Sequence, residues 1–213
     1  TTTVTAASVN VLGIFPATDA SIAVAGTGTV ECGGVQAENA LVSTSYIPTT
    51  VATVTRNKDV LTYAYAVQTP FTLYCEFTSL STGSSNSNQH CFMIDNNDAS
   101  QTGGAIGRDD SDVPIGGKLS VKIAGVQEAL IPVGTVVAGT TYKIAGAFDL
   151  NDCNVSMAGA IGTQDTAVAA MTDLAVTSVG CNSAGAQQPN AGIKNCRTTA
   201  KRFTDAQMQT LTT

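Results

Sequence analysis

The chain of 213 residues has no tryptophan, one histidine and little charge. Charged residues make up 12% of it, about half of the ~25% that is usual in globular proteins. The net charge is −6, and no dense cluster of lysine and arginine provides the basic surface that nucleic-acid phosphates require. The same acidity disfavours anionic membranes, and no apolar run approaches the ~20 residues of a spanning helix. We therefore expect neither a nucleic acid nor a membrane as partner.

Residues that several kinds of catalysis need are also missing. Glu31, Glu38, Glu76 and Glu128 are the only glutamates, and none has an acidic neighbour at strand spacing. The paired carboxylates of a glycosidase are therefore not indicated, and sialidase Asp boxes require tryptophan. His90 is not accompanied by a G-x-S-x-G elbow, which favours a structural role over a Ser-His-Asp triad. The sequence predicts that the protein is not an enzyme.

Cysteine is present but lacks the spacings of metal or redox motifs. No two cysteines form a C-x-x-C pair, and structural zinc is disfavoured because paired ligands at short spacing are absent. An even number allows three disulfides, but a chain of this length does not need them to be stable, so buried free thiols are the favoured alternative. The six residues are Cys32, Cys75, Cys91, Cys153, Cys181 and Cys196.

What the sequence does contain is threonine, serine, alanine, valine and glycine, in segments where apolar and polar residues alternate. Such alternation over four to eight residues, bounded by turn-forming residues, indicates half-buried antiparallel strands. In Phe71–Phe77, for example, the odd-numbered residues are apolar and would share one face. The fold class predicted is all-β, an antiparallel β-sandwich. Other such segments are Val51–Thr55, Leu119–Ile123, Tyr142–Phe148 and Val155–Met157.

Three polar stretches, Ser79–Asn88, Asp95–Asp112 and Asn182–Asn190, are interpreted as long loops at the edges of the sandwich. Binding residues are often found on such loops. The second stretch contains five aspartates that are candidate oxygen ligands for calcium. Solvated acidic turns are the favoured interpretation because the EF-hand spacing is absent. The five calcium candidates are Asp95, Asp98, Asp109, Asp110 and Asp112; no other cofactor is expected.

One helix is predicted, at about Asp205–Leu211. Thr204 is a suitable N-cap, and Gln207 three residues later completes a capping box. Phe203, Met208 and Leu211 are expected to dock this helix on the sandwich.

Two groups of motifs resemble known proteins. The segment Cys32–Asn39 (CGGVQAEN), followed by Thr44–Thr50 (TSYIPTT) and Thr55-Arg56 with Asp59, resembles a junction in bacteriophage structural and tail-fibre proteins. The downstream region is similar to the concanavalin-like, laminin-G-type lectin/glucanase sandwich. Its matching features are Phe71–Tyr74, Tyr142–Ala145 and the closing Lys201–Thr212 (KRFTDAQMQTLT), although Asn195–Arg197 replaces the usual aromatic strand before the helix.

The resemblance implies a jelly-roll sandwich at residues 51–213, preceded by an N-terminal β segment at residues 1–50 that is an arm or the remnant of an earlier sandwich. It implies a non-catalytic virion structural protein, a capsid decoration or tail-fibre component, that assembles with other virion proteins or with itself as a homotrimer on the particle surface. The alternative is a carbohydrate-binding receptor module of a tail fibre with a host glycan as partner, and a glycan hydrolase ranks third.

Sugar recognition usually places a sugar against an aromatic ring. The available platforms are Tyr46, Tyr63, Tyr65 and Tyr142. The sequence does not choose among them. The Thr1–Thr3 start also lacks a signal-peptide n-region, so the chain is expected to be processed or part of a longer one.

Overall fold

A computed structural model describes residues 60–65, 67–80, 89–109 and 115–213. The predicted N-terminal β segment and the phage-like junction lie outside these residues. Strands make up 52% of the described chain, which confirms the all-β prediction. The strands are β1 (Leu61–Tyr63), β2 (Phe71–Ser79), β3 (Gln89–Asp95), β4 (Gly103–Asp109), β5 (Gly116–Ile123), β6 (Val126–Val133), β7 (Thr141–Asp149), β8 (Asp152–Met157), β9 (Ala160–Ile161), β10 (Val176–Val179) and β11 (Ala191–Thr199).

The strands form two antiparallel sheets that pack face to face. One sheet has the order β1-β10-β3-β4-β5-β6 and the other has the order β11-β2-β7-β8-β9. Every strand pair in both sheets is antiparallel. The inner faces of the two sheets share one hydrophobic core. The antiparallel β-sandwich expected from the alternating segments is therefore confirmed.

In β2 the alternation of apolar and polar residues determines which side chains enter the core. Phe71, Leu73, Cys75 and Phe77 are fully buried and belong to the core between the sheets, as their period-two spacing predicts. Phe71 also stacks on Phe148 of the adjacent strand, with ring centroids 4.7 Å apart. The strand is not half-buried, however, because residues on its other face are covered as well.

A substitution at Gly146 in β7 can test how tightly the two sheets pack. A Cβ added there would lie 3.1 Å from Leu119 Cδ1 and even closer to Ile106. We expect Gly146→Ala to lower the free energy of unfolding by about 1–3 kcal/mol, because overpacking a close-packed core forces side chains or backbone to shift. The measurement is urea unfolding followed by far-ultraviolet circular dichroism.

The matched control for Gly146→Ala is Gly192→Ala in β11, where no atom lies within 4 Å of the added Cβ. Alanine there should leave the stability unchanged or raise it by up to about 1 kcal/mol, since alanine loses less backbone entropy than glycine on folding. Equal effects of the two substitutions would mean that the sheets do not pack closely at Gly146.

The described chain has one α-helix, α1 (Asp205–Thr212), which matches the predicted helix to within one residue. The Thr204 hydroxyl accepts a hydrogen bond from the Gln207 backbone N–H, and the Gln207 side chain accepts one from the Thr204 N–H. This confirms the predicted capping box. Arg202 contacts Asp152 at 2.5 Å and Asp205 at 3.1 Å, which ties the start of the helix to β8.

The helix docks on the outer face of the five-stranded sheet. Met208 is fully buried against Tyr74, Ala145 and Ala147, and the half-buried Phe203 and Leu211 pack beside it. Thr212 continues the contact, with its hydroxyl 2.8 Å from the Ser156 hydroxyl. The predicted docking through Phe203, Met208 and Leu211 is confirmed. It also explains why both faces of β2 are covered.

The five described cysteines, Cys75, Cys91, Cys153, Cys181 and Cys196, are free thiols; Cys32 lies outside the described residues. This agrees with the free-thiol alternative for those five. Of the helical segments in the described ranges, none is long and apolar enough to cross a membrane.

Candidate functional site

The most exposed aromatic side chains of the described chain lie at one edge of the six-stranded sheet. β1 is the edge strand, pairing only with β10 so that Leu61 faces Val179 and Tyr63 faces Thr177. Tyr63 is 51% exposed and Tyr65, just beyond the strand, is 61% exposed. The Thr177 hydroxyl donates a hydrogen bond to the Tyr65 carbonyl oxygen, which holds the chain after β1 against the sheet. Two tyrosines are thus presented to solvent on fixed backbone.

Beside these tyrosines lies an apolar groove, which we call the edge groove. Its first part is a cavity of about 360 Å³ lined by Leu61, Tyr63, Phe92, Thr177, Val179 and Cys196. Its second part, of about 380 Å³, shares Leu61 and Val179 and is completed mainly by Gln188, Pro189, Ala191 and Ile193. The lining comes from both sheets, because β1, β10 and β11 are the strands at this side of the sandwich. The groove is therefore the opening between the two sheets.

One wall of the edge groove is formed by the polar stretch predicted as a loop at Asn182–Asn190. Asn182 organises this loop: its side-chain oxygen accepts from the Ala186 N–H at 2.7 Å, and its side-chain nitrogen donates to Gln187 Oε1 at 3.1 Å. The Gln187 carbonyl oxygen in turn accepts from the His90 N–H at 2.9 Å, which attaches the loop to β3. Asn182 is itself buried. The wall is preorganised by these hydrogen bonds.

The structure describes three of the four candidate platforms, and two of these three are well exposed. Tyr46 lies outside the described residues. Tyr142 is only partly exposed, stacks on Phe77 with centroids 5.6 Å apart, and accepts a hydrogen bond from the Val137 N–H. Tyr63 lines the edge groove, and the exposed Tyr65 follows it two residues later in the chain. The fifth tyrosine, Tyr74, is buried beneath α1, where burial together with Glu76 raises its pKa to about 12.

The calcium candidates do not form one cluster. Asp95 ends β3 and pairs with Gly103, whereas Asp109 ends β4 six residues further on, roughly 20 Å away at the usual rise per strand residue. Asp95 Oδ1 accepts from the Asn97 N–H at 2.9 Å, and Asp98 Oδ1 accepts from the Ser100 N–H at 3.4 Å. Both carboxylates thus accept hydrogen bonds from the turn that follows β3, where Asp98 is exposed and Asp95 is fully buried.

Asp109, at the other end, lies 3.6 Å from Lys118 Nζ, and both side chains are buried. Asp110 and Asp112 lie outside the described residues. Within the described ranges, no three His, Cys, Asp or Glu side chains are close enough together to hold a metal ion. The β3–β4 hairpin separates Asp95 and Asp98 from Asp109, so these three described aspartates do not share one site. Calcium binding by the five candidates stays a prediction.

The two described glutamates, Glu76 and Glu128, are also far from one another in the fold. Glu76 lies in β2 of one sheet and Glu128 in β6 of the other. Glu76 accepts a hydrogen bond from Asn195 Nδ2 at 2.9 Å, which lowers the pKa of its carboxyl, and it lies 3.5 Å from Lys194 Nζ. These two glutamates do not make the close carboxylate pair of a retaining glycosidase.

His90 is buried in β3, with its Nδ1 3.1 Å from Met93 Sδ. Burial, reinforced by the charges of Lys118 and Lys122, lowers the pKa of His90 to about 3. Among the described residues, no carboxylate contributes to this shift of the His90 pKa. The ring is therefore neutral at pH 7 and lacks the acidic partner that would orient it in a triad, which agrees with the structural role favoured from the sequence.

The fold is similar to those of solved domains from carbohydrate-active proteins. CBM40 of the Ruminococcus gnavus IT-sialidase, bound to α2,3-sialyllactose, matches with a TM-score of 0.55 at 11% identity, over 69% of this chain and 84% of that chain. Domain 4 of AbnA, a GH43 extracellular arabinanase from Geobacillus stearothermophilus, in complex with arabinotriose, matches with a TM-score of 0.52 at 14% identity, over 70% and 69%. Trypanosoma rangeli sialidase in complex with the inhibitor DANA matches with a TM-score of 0.50 at 14% identity, over 68% of this chain and 22% of that chain.

No sequence family matches the chain, and no curated protein does. At these identities the structural likeness establishes the fold alone, an antiparallel β-sandwich.

Proposed function

We propose that the protein is a non-catalytic carbohydrate-binding module whose binding site is the edge groove. The observation that carries the proposal is the pair of exposed tyrosines, Tyr63 and Tyr65, beside an apolar opening between the sheets. The C–H faces of a sugar ring pack against aromatic faces, and an apolar cleft with a few polar groups is the usual form of a small-ligand site. Gln188 and Thr177 supply polar groups at the groove wall.

The chemistry of the groove favours a neutral oligosaccharide. None of the described residues that line its two parts is charged. A sialylated sugar carries a carboxylate, which proteins usually bind with arginine or with several hydrogen-bond donors. The net charge of −6 adds unfavourable long-range electrostatics for an anionic ligand. Sialyllactose and arabinotriose, the ligands of two similar structures, therefore make an informative pair of anionic and neutral probes.

The test is isothermal titration with a panel of neutral and acidic oligosaccharides that includes both probes. We expect a neutral member to bind and the sialylated members to bind more weakly. For the neutral ligand, the double substitution Tyr63→Ala with Tyr65→Ala should raise Kd by at least about tenfold, because each stacked ring contributes about 0.5–1.5 kcal/mol beyond the area it buries.

The control for the tyrosine variant is Leu150→Ala, which removes an exposed apolar side chain at the turn between β7 and β8. This variant should bind like the unmodified chain. Unchanged affinity of the double tyrosine variant would place any sugar site elsewhere, and the absence of binding across the panel would count against a carbohydrate-binding role.

The assembly role in a bacteriophage particle, expected first from the sequence, becomes the second candidate. None of the similar structures reported above is a virion protein, and they fit the carbohydrate-binding alternative better. The TSYIPTT segment supports the phage resemblance, but Thr44–Thr50 lies outside the described residues. A virion location and a homotrimer stay predictions, which immunogold labelling of particles and light scattering of the purified chain would test.

A further inference from the structure

Two cysteines face one another across the neighbouring strands β2 and β11, and one of them, Cys196, lines the edge groove. In the β11–β2 ladder Lys194 pairs with Glu76 and Arg197 pairs with Tyr74, so two residues, Asn195 and Cys196, oppose the single residue Cys75. This is a β-bulge, in which one strand carries an extra residue.

The bulge turns Cys196 toward Cys75. Asn195 has a φ of 53°, the left-handed region that asparagine tolerates better than most residues. Its side chain donates to Glu76 on the outer face of the sheet. Cys196 is consequently directed inward, where it packs against the core that contains Cys75 and lines the groove beside Tyr63.

The two thiols differ in access and in acidity. Cys75 is fully buried, and burial raises its pKa well above the usual value. Cys196 is partly exposed at the groove, and its interaction with the Cys75 thiol lowers its pKa. An accessible thiol of lowered pKa, backed by a second thiol, is the arrangement of a cysteine that reacts first and a cysteine that resolves.

We propose that Cys75 and Cys196 are a reversible redox site that closes to a cross-strand disulfide by exchange with a small disulfide such as oxidised glutathione. Opposed Cα atoms of a regular antiparallel ladder are about 4.5–5.5 Å apart, which a disulfide can span. At the bulge the Cys75 and Cys196 thiols lie close enough to interact. Formation of this disulfide requires no bound sugar, although Cys196 lines the same groove.

The exchange proceeds in two balanced steps. The Cys196 thiolate attacks one sulfur of oxidised glutathione, forming a mixed disulfide and releasing one glutathione thiolate, which takes up the proton that Cys196 gave up. The Cys75 thiolate then attacks Cys196 Sγ, closing the protein disulfide and releasing the second glutathione, which takes the proton of Cys75. Two protein thiols are oxidised while one glutathione disulfide is reduced to two thiols.

Cys91 is the competing partner, because its thiol also interacts with Cys75. Cys91 lies in β3 of the opposite sheet, however, and packed sheets are about 10 Å apart. Bridging Cα atoms more than about 7 Å apart requires backbone movement, so the pair on adjacent strands is favoured over the pair across the core.

The test incubates the folded chain with oxidised glutathione at pH 8, blocks remaining thiols with N-ethylmaleimide, and maps the peptides by mass spectrometry. We expect a peptide pair linked through Cys75 and Cys196 that has lost two hydrogens, and we expect dithiothreitol to restore both thiols. Finding both cysteines fully alkylated after oxidation, or a linkage of Cys75 to Cys91, would overturn the proposal.

One variant and its control distinguish the first step, attack by Cys196, from the second step, resolution by Cys75. Cys75→Ser should accumulate the glutathione adduct on Cys196, because no thiol remains to resolve it, and absence of that adduct contradicts the assigned order of reaction. Cys91→Ser is the matched control and should form the Cys75–Cys196 link as the unmodified chain does. Circular dichroism confirms that each variant is folded, and Cys75→Ala replaces Cys75→Ser if the buried hydroxyl prevents folding.

Discussion

Replacing Met208 by alanine should lower the free energy of unfolding by about 2–5 kcal/mol, the range found for removing a large buried apolar side chain. Met208 is the only fully buried apolar residue of α1, and it fills the space above Tyr74, Ala145 and Ala147. Alanines 145 and 147 are too small to close the resulting cavity from below. The loss should therefore fall in the upper part of that range.

The measurement is urea unfolding followed by far-ultraviolet circular dichroism, since the chain has no tryptophan for fluorescence. Thr210→Ala on the exposed side of the same helix is the matched control and should change the stability by less than about 0.5 kcal/mol. Phe203→Ala should cost less than Met208→Ala, because Phe203 is only half-buried. A Met208→Ala variant as stable as the control would show that α1 is a loosely attached tail.

The strands with strict alternation were predictable from the sequence. Phe71–Phe77 and Tyr142–Phe148 lie in β2 and β7, with the expected inward faces. The helix was predictable as well, because capping residues act locally and the pattern around Thr204 is complete in the sequence. What the local pattern did not show is which sheet the helix covers, since Ala145 and Ala147 are small and give little signal of a docking surface.

The stretch Asp95–Asp112 was interpreted as one long polar loop, and this was wrong. β4 (Gly103–Asp109) is an interior strand of the six-stranded sheet. It is rich in glycine because neighbouring groups occupy the space a side chain would need: a Cβ at Gly104 would lie 2.5 Å from the Phe148 ring. Glycine in a sequence is read as a turn signal, whereas here it reflects close approach of the two sheets.

The candidate site was only partly predictable. The sequence offered four tyrosines, and the choice of Tyr63 and Tyr65 depends on β1 being an edge strand. That position is set by pairing with β10, more than a hundred residues away, so that Leu61 faces Val179. A short segment carries no local signal of such a partner. The Asn182–Asn190 loop was expected to lie where ligands bind, and it does form a wall of the edge groove.

The second large effect expected is a loss of stability in mild acid caused by His90. The chain has one histidine, and its pKa is lowered to about 3 in the folded state by burial and by Lys118 and Lys122. In the unfolded state the pKa returns to about 6.5. Below pH 6.5 the His90 side chain is protonated in the unfolded chain but stays neutral in the folded chain. The contribution of His90 to the free energy of unfolding is therefore fully present above pH 6.5 and is lost progressively down to about pH 3.

The window between pH 7.5 and 5 isolates this effect, because carboxyl groups of ordinary pKa stay ionised there in both states. The linkage relation gives a decrease in the free energy of unfolding of about 2 kcal/mol over that window, approaching 1.4 kcal/mol per pH unit at its acid end. Urea unfolding at half-unit pH steps measures the slope of the free energy of unfolding against pH.

His90→Gln removes the titrating ring and should give a nearly flat dependence of that free energy on pH, whatever the absolute stability of the variant. A steep profile that persists in His90→Gln would assign the slope to another group, and a flat profile in the unmodified chain would mean that the folded state accommodates a charged His90.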